Sequence, residues 1–398
     1  MDFSQITTLK KNDKSFNKKR IALIAIIVIL SGFLFLLVMH HMIFVFPRND
    51  FKANAYFIQR IYQTRSIIFD GTSIVNPLYT IICILLARGL SIDFKFVELA
   101  VMTVDYMMIA FLVTRYLFLE HKDFNSWWMP VVVLSIMLYA PIFLNPAVDL
   151  RYPYGYIPPT SYHNPTIWLA KLFGFCSVIL FIRYLQQPKI PVKIYILTML
   201  VSAASILSKP NFSMCFLPAA GLLIVYLFLK KQPLNLKFAI IGFFLPLVGI
   251  LLWQYYINYI VAPYASLSIA PFVVANELSQ HENLLVDLIL GALFPLTVLA
   301  LYFKEVIHNK WLVYAWGQFA IGLGFFYIFT ETGKHQFDGN FIWGPETALF
   351  ILIILSAGFW LGKFKQPSKK WMEYIPLVVM IAHGVYGLVY WYYSLTVV

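Results

Sequence analysis

Twelve apolar runs, most of them near 20 residues long, recur along this chain at roughly 21–46, 75–90, 97–118, 129–146, 166–185, 194–208, 211–229, 238–260, 284–303, 311–330, 341–361 and 374–394. A bilayer core is about 30 Å thick and offers no water to unpaired backbone groups, so runs of this length fold as spanning helices. The runs are continuous and lack the in/out alternation of barrel strands, which excludes a membrane β-barrel. With 61% hydrophobic residues, the expected fold class is an all-α polytopic membrane helix bundle.

The chain carries a net charge of +12, but its 30 basic residues sit mostly in short clusters at the ends of apolar runs. That pattern orients helices in a membrane and does not form a nucleic-acid stripe. Cys83, Cys176 and Cys215 all fall inside apolar runs without paired spacing and read as packed core residues. The first run is too long for a signal-peptide core and lacks a small-residue cleavage site, so it is expected to stay as an anchor.

If all twelve runs span, the later basic clusters fall on the wrong side of the membrane. The run 75–90 is the weakest, being short and opening on Val75, Asn76 and Pro77. Read as a re-entrant or juxtamembrane helix, it leaves about 11 spans. A basic cytoplasmic tail, 1–20, then precedes a single transmembrane domain, 21–398, in a bacterial inner or plasma membrane. Outer loops are expected at 47–96, 147–165, 261–283 and 331–340, with a tight turn at Lys209. No internal repeat of the transporter kind stands out.

Ionisable groups at the mouth of a membrane cavity are functional candidates. The first loop carries Asp50, Lys52, Tyr56, Arg60, Arg65 and Asp70. On a helix starting near Asn49, Lys52, Tyr56 and Arg60 share one face, with Phe51, Ala55 and Ile58 expected to dip into lipid. The second loop offers Asp149, Arg151, His163, Asn164 and four tyrosines, rings suited either to sugar faces or to an aromatic belt. Lys171 lies just inside the next helix and needs either a carboxylate, for which Asp105 is a candidate, or a bound anion such as phosphate. Lys209 sits in the turn SKPNF. The last loop brings Glu331, Lys334, His335, Asp338 and Asn340, followed by Glu346. His163 and His335 with nearby carboxylates could assemble a divalent-metal site, yet no HxxxH or related spacing marks one. Phosphate-loop, dinucleotide and nucleophile-elbow motifs do not occur.

The acidic Asp50 just past the first span, Tyr56 six residues on, the opening Asn76-Pro77-Leu78-Tyr79, and the stretches HNPT and SKPNF together resemble the GT-C class of integral membrane glycosyltransferases, of the bacterial surface-polysaccharide type. The resemblance covers roughly residues 20–260. It implies an inverting transfer of a sugar or glycan from a polyprenyl (di)phosphate carrier to a cell-surface glycan or lipid acceptor, with Asp50 as general base and no required cofactor. Arg151, Lys171, Lys209 and Lys334 are the cations that could face the carrier's phosphate. Several members have an acidic neighbour beside the catalytic residue, and this chain does not, which leaves Asp149 and Asp338 as alternatives for the base. The competing expectation is a transporter or flippase of a lipid-linked saccharide, which would place polar groups and broken helices at the bilayer midplane.

Overall fold

A computed structural model describes residues 14–46, 49–66, 68–69, 72–73, 76–120, 128–151, 153–261, 266–279, 283–364 and 370–396. Asp70 and Tyr152 lie outside these residues, as do most of the basic tail 1–20 and several loop tips. The chain runs through α1 (Lys14–His40, prolonged by a π-turn over His41–Val45), α2 (Asn49–Thr64), a short pair β1 (Ile68–Phe69) and β2 (Thr72–Ser73), α3 (Leu78–Leu90) and α4 (Phe94–Glu120). It continues with α5 (Trp128–Met137), α6 (Pro146–Asp149), α7 (Pro165–Tyr184), α8 (Val192–Ser208), α9 (Asn211–Leu229), α10 (Leu236–Ala239) and α11 (Leu245–Tyr256). Next come β3 (Leu267–Ile269), α12 (Val273–Leu278), α13 (Leu284–Gly291), α14 (Leu293–Leu301), α15 (Phe303–His308), α16 (Lys310–Ile328), β4 (Phe329–Glu331), α17 (Trp343–Lys363) and α18 (Lys370–Thr396).

Among the described residues, eight helices are long and apolar enough to cross a membrane, or nine if the bent pair α13 and α14 counts as one crossing. The chain is an integral membrane protein with an all-α core. α17 is its centre: it is apolar around its whole circumference, buried from Trp343 to Leu361, and packed against α4, α7, α9, α14, α16 and α18. α1 lies at the periphery, against α4, where Gly32 lets Met107 approach so closely that an added Cβ would stand 2.5 Å from its Cγ.

Two expected spans are broken, each by a proline. The run 129–146 is helical only as far as Met137, because the ring of Pro141 would meet the carbonyl of Met137 four residues back. The freed Met137 carbonyl accepts instead from the Tyr106 hydroxyl at 2.6 Å. The following non-helical stretch stays at depth because protein surrounds it: Ala140 N–H donates to His383 O, and His383 Nδ1 donates to Ala140 O at 2.7 Å. The run 284–303 bends by 76° between α13 and α14. Pro295 removes the partner of the Gly291 carbonyl, which lies 3.1 Å from the Tyr139 hydroxyl. That hydroxyl also sits 2.8 Å from His383 Nε2, so His383 is a packed hydrogen-bonding residue joining α18 to both breaks.

α3 has 13 residues, about 20 Å of helix, short of an upright crossing. The loops at its end of the bundle are tied to one another. Asn76 Nδ2 donates to Ser208 O at 3.3 Å, Asn211 Nδ2 to Asn340 O at 2.7 Å, and β3 pairs antiparallel with β4 in the register Leu267 with Glu331 and Ile269 with Phe329. The opposite end gathers basic and amide side chains, with Arg20 over the Phe118 ring and Gln186 bonded to Gln232 and Lys310.

Candidate functional site

The site is built where α7, α17 and the turn between α8 and α9 meet, with Asp50 of α2 acting on it through space. The residue before Pro210 is driven out of helical geometry, so α8 stops at Lys209, whose backbone is extended with φ −164° and ψ 127°. This turn buries the Lys209 side chain to 8% exposure. Its ammonium donates to Thr166 Oγ1 at 3.4 Å and lies 4.6 Å from the centre of the Trp343 ring. Burial pushes the Lys209 pKa down to about 8, and Lys171 adds to that, while the carboxylates of Asp50 and Glu346 push it back up.

Asp50 enters from α2. It stands half-buried in the first turn, where a carboxylate also suits the helix dipole, and Phe51 and Ile58 of the same helix are buried. Phe51 and Ile58 therefore pack into the protein rather than into lipid, while Ala55, Lys52 and Tyr56 form the exposed face. Tyr56 is separated from Asp50 by the helix itself, and Arg60 is half-buried at the border between the two faces.

The stretch HNPT opens α7. Asn164 is its N-cap: Oδ1 accepts from Thr166 N–H at 3.1 Å and from the Thr166 hydroxyl at 2.8 Å, with Pro165 in the first helical position. Asn164 thus acts by holding Thr166 toward Lys209. His163 is half-buried beside the Tyr154 hydroxyl, 3.3 Å from Nε2, and its ring lies 5.5 Å from that of Trp343. Tyr154, His163 and Trp343 make an aromatic wall next to the Lys209 ammonium.

Behind this wall Lys171 and Glu346 form a fully buried ion pair at 2.6 Å. Lys171 also donates to Pro159 O at 2.8 Å and lies 4.4 Å from the Trp168 ring centre, and the Ser161 hydroxyl donates to Glu346 Oε1 at 3.2 Å. The expected pairing of Lys171 with Asp105 is therefore corrected: α17, not α4, supplies the partner, because Glu346 lies in the first turn of α17 beside α7. Asp105 still acts on Lys171 through space, but both of its oxygens are buried without a hydrogen-bond partner among the described residues. Through-space electrostatics link Lys209 to Asp50 and Glu346, and Lys171 to Glu346 and Asp105.

The other expected residues fall elsewhere. Asp149 is buried and accepts from Asn145 N–H at 2.8 Å and the Tyr156 hydroxyl at 2.9 Å, so it ties its own loop together. Arg151 is exposed on that loop. His335 and Asp338 pair with each other at 2.7 Å near the surface, and the side chain of Lys334 lies outside the described residues. Among the described residues no three His, Cys, Asp or Glu side chains gather as a metal site. Trp343 was missed in the sequence, where its only mark is a tryptophan directly before Gly344-Pro345-Glu346. A scan against protein-family models gives no match for this chain, and a search of curated proteins gives none either.

Proposed function

We propose that the chain is an inverting glycosyltransferase of GT-C type that moves a sugar or glycan from a polyprenyl (di)phosphate carrier to a glycan or lipid acceptor at the outer face of a bacterial inner or plasma membrane. The observation that carries this reading is the buried Lys209 ammonium, resting on the Trp343 ring and acted on through space by the Asp50 carboxylate, at one end of a helix bundle. A buried cation at the end of a membrane helix bundle suits an anionic lipid headgroup.

In the proposed step an acceptor hydroxyl attacks the anomeric carbon. The new C–O bond forms on the face opposite the carrier as the bond from that carbon to the phosphate oxygen breaks. Asp50 takes the hydroxyl proton, and Lys209 stabilises the electron pair that leaves on the phosphate. The carrier brings its own activated leaving group, so the step as written needs no nucleotide. The aromatic wall of Tyr154, His163 and Trp343 would face the sugar. Counting the bent pair, α5 and α8 as crossings and α3 as juxtamembrane makes eleven spans, with the N-terminus and the basic clusters in the cytoplasm.

A second reading, a flippase for the same lipid-linked saccharide, draws on Asp105. It lies 11 residues into α4, about 16 Å along the helix, close to mid-membrane depth. Movement of the carrier across vesicles without any sugar transfer would favour it.

The donor site is tested by titrating undecaprenyl phosphate onto purified wild type and Lys209→Met. Affinity about 10- to 100-fold weaker in the variant is expected for loss of a charged hydrogen-bond donor. Equal affinity would remove Lys209 from the donor site.

A further inference from the structure

The turn between α3 and α4 gathers positive charge at the membrane boundary. Ser91, with φ 54°, ends α3 in the left-handed region, and Ile92 N–H donates to Ala87 O at 3.2 Å, so the chain passes within three residues into α4. Arg88, in the last turn of α3, and Lys95, in the first turn of α4, therefore flank one tight turn. The Arg88 guanidinium lies 5.2 Å from the centre of the Tyr62 ring of α2, and the Lys95 ammonium 5.9 Å from that of Phe44. Tyr62 meets Phe94 edge-on at 6.0 Å, and Phe44 meets Phe96 at 5.1 Å, centre to centre. Phe44 stands at the end of the apolar helix Lys18–Val45 and Phe94 opens the apolar helix Phe94–Phe118, so this corner lies at the level of the lipid headgroups.

Neither cation has a carboxylate in contact. Asp93 Oδ1 accepts from Lys95 N–H at 2.9 Å and so caps α4, while Glu98 is buried, accepts from the Tyr79 hydroxyl at 3.3 Å and acts on Lys95 only through space. Among the described residues Arg88 and Lys95 form no ion pair, and their side chains donate no hydrogen bond. Around them Leu85, Leu90, Ile92 and Phe96 are 45% to 65% exposed, an apolar surface turned toward lipid. Unspent donors at headgroup depth, edged by apolar side chains, match a phosphate carried on acyl chains, and two positive charges against the one of Asp93 favour a headgroup of net negative charge. We infer that this corner binds the headgroup phosphate of an anionic phospholipid of the surrounding bilayer. Through Tyr62, in the last turn of α2, the bound lipid steadies the helix whose first turn carries Asp50. The lipid site does not rest on the transferase reading.

The test is amide hydrogen exchange, read by mass spectrometry on the full chain in nanodiscs of phosphatidylcholine alone and of phosphatidylcholine mixed with phosphatidylglycerol. Wild type, the double variant Arg88→Gln with Lys95→Gln, and Lys209→Met are compared. In wild type, phosphatidylglycerol should slow exchange over the end of α2 and the turn between α3 and α4 by about 5-fold or more. The double variant should exchange there equally in both lipids, and Lys209→Met should keep the wild-type response, since its lesion lies at the transfer site. Equal exchange of wild type in the two lipids, or an undiminished response in the double variant, would overturn the inference. So would loss of the response in Lys209→Met, which assigns it to the transfer site, or its reproduction by inorganic phosphate in phosphatidylcholine nanodiscs, which removes the lipid as its source.

Discussion

Lys209 and Lys171 are both buried lysines resting on tryptophans, yet their chemistry differs because only Lys171 has a carboxylate in direct contact. With its pKa pushed down to about 8, Lys209 is cationic at neutral pH and loses its proton far sooner than an ordinary lysine. Its folded-state pKa lies below the unfolded value, so between pH 8 and the usual lysine range the unfolded chain holds more protons. Over that window the free protein gains stability from this group as pH rises. Anion binding needs the charged form and moves the other way. The affinity of wild type for undecaprenyl phosphate, measured at pH 7 and 9, should fall about tenfold at the higher pH, and Lys209→Met should be weak and flat across the range. At Lys171 the expected effect is on stability. Glu346→Gln alone leaves a buried ammonium without its counter-charge, at a cost of about 3–5 kcal/mol, whereas Lys171→Met with Glu346→Leu should melt higher than either single variant. Thermal unfolding of the three proteins checks this ordering. The sequence marked both lysines as cations in need of company, and for Lys171 it pointed to Asp105. No linear spacing could reveal that Glu346, 175 residues away, would close the pair.

At the level of elements, the apolar runs announced most of the helices, and the Pro and Asn residues before α3, α7 and α9 announced where they begin. The breaks after Met137 and at Gly291 were less legible, because Pro141 and Pro295 lie inside runs whose hydropathy never drops. Their effect depends on whether a neighbour can satisfy the freed carbonyl, and Tyr106 and Tyr139 come from other segments of the fold. α18 supports this irregular backbone at close range: a Cβ on Gly387 would stand 1.8 Å from the Leu138 carbonyl oxygen, an atom of the main chain that cannot swing aside. Gly387→Ala should therefore destabilise the fold by about 1–3 kcal/mol or more. Gly317→Ala on α16, where an added methyl meets nothing within 4 Å, should be neutral or mildly stabilising through helix propensity. A comparison of melting temperatures for the pair separates crowding from propensity.

For the whole molecule, what was legible was class and polarity: a helix bundle in a membrane, with polar chemistry at one end and basic clusters toward the other. The grouping at that end was not legible, since Asn76, Thr166, Lys209, Asn211, Asn340 and Trp343 come from four separate parts of the chain. The proposed eleven crossings put Tyr56 and Phe337, both exposed, on the outer side and Lys193 on the inner side. Cysteines introduced at 56 and 337 should react with a membrane-impermeant maleimide on intact cells, and one at 193 only after lysis. Cys83 and Cys215, which are buried, and Cys176, which is half-buried, should add little background. Labelling of position 193 on intact cells would refute this topology. In the proposed reaction Asp50 takes the proton of the acceptor in a site whose donor is held by Lys209. It is tested most directly by reconstituting wild type and Asp50→Asn with radiolabelled undecaprenyl-linked sugars and membrane extract of the producing organism, and measuring transfer and donor binding together. Asp50→Asn should bind the donor as wild type does and lose transfer by at least about 100-fold. Undiminished transfer by Asp50→Asn would contradict it.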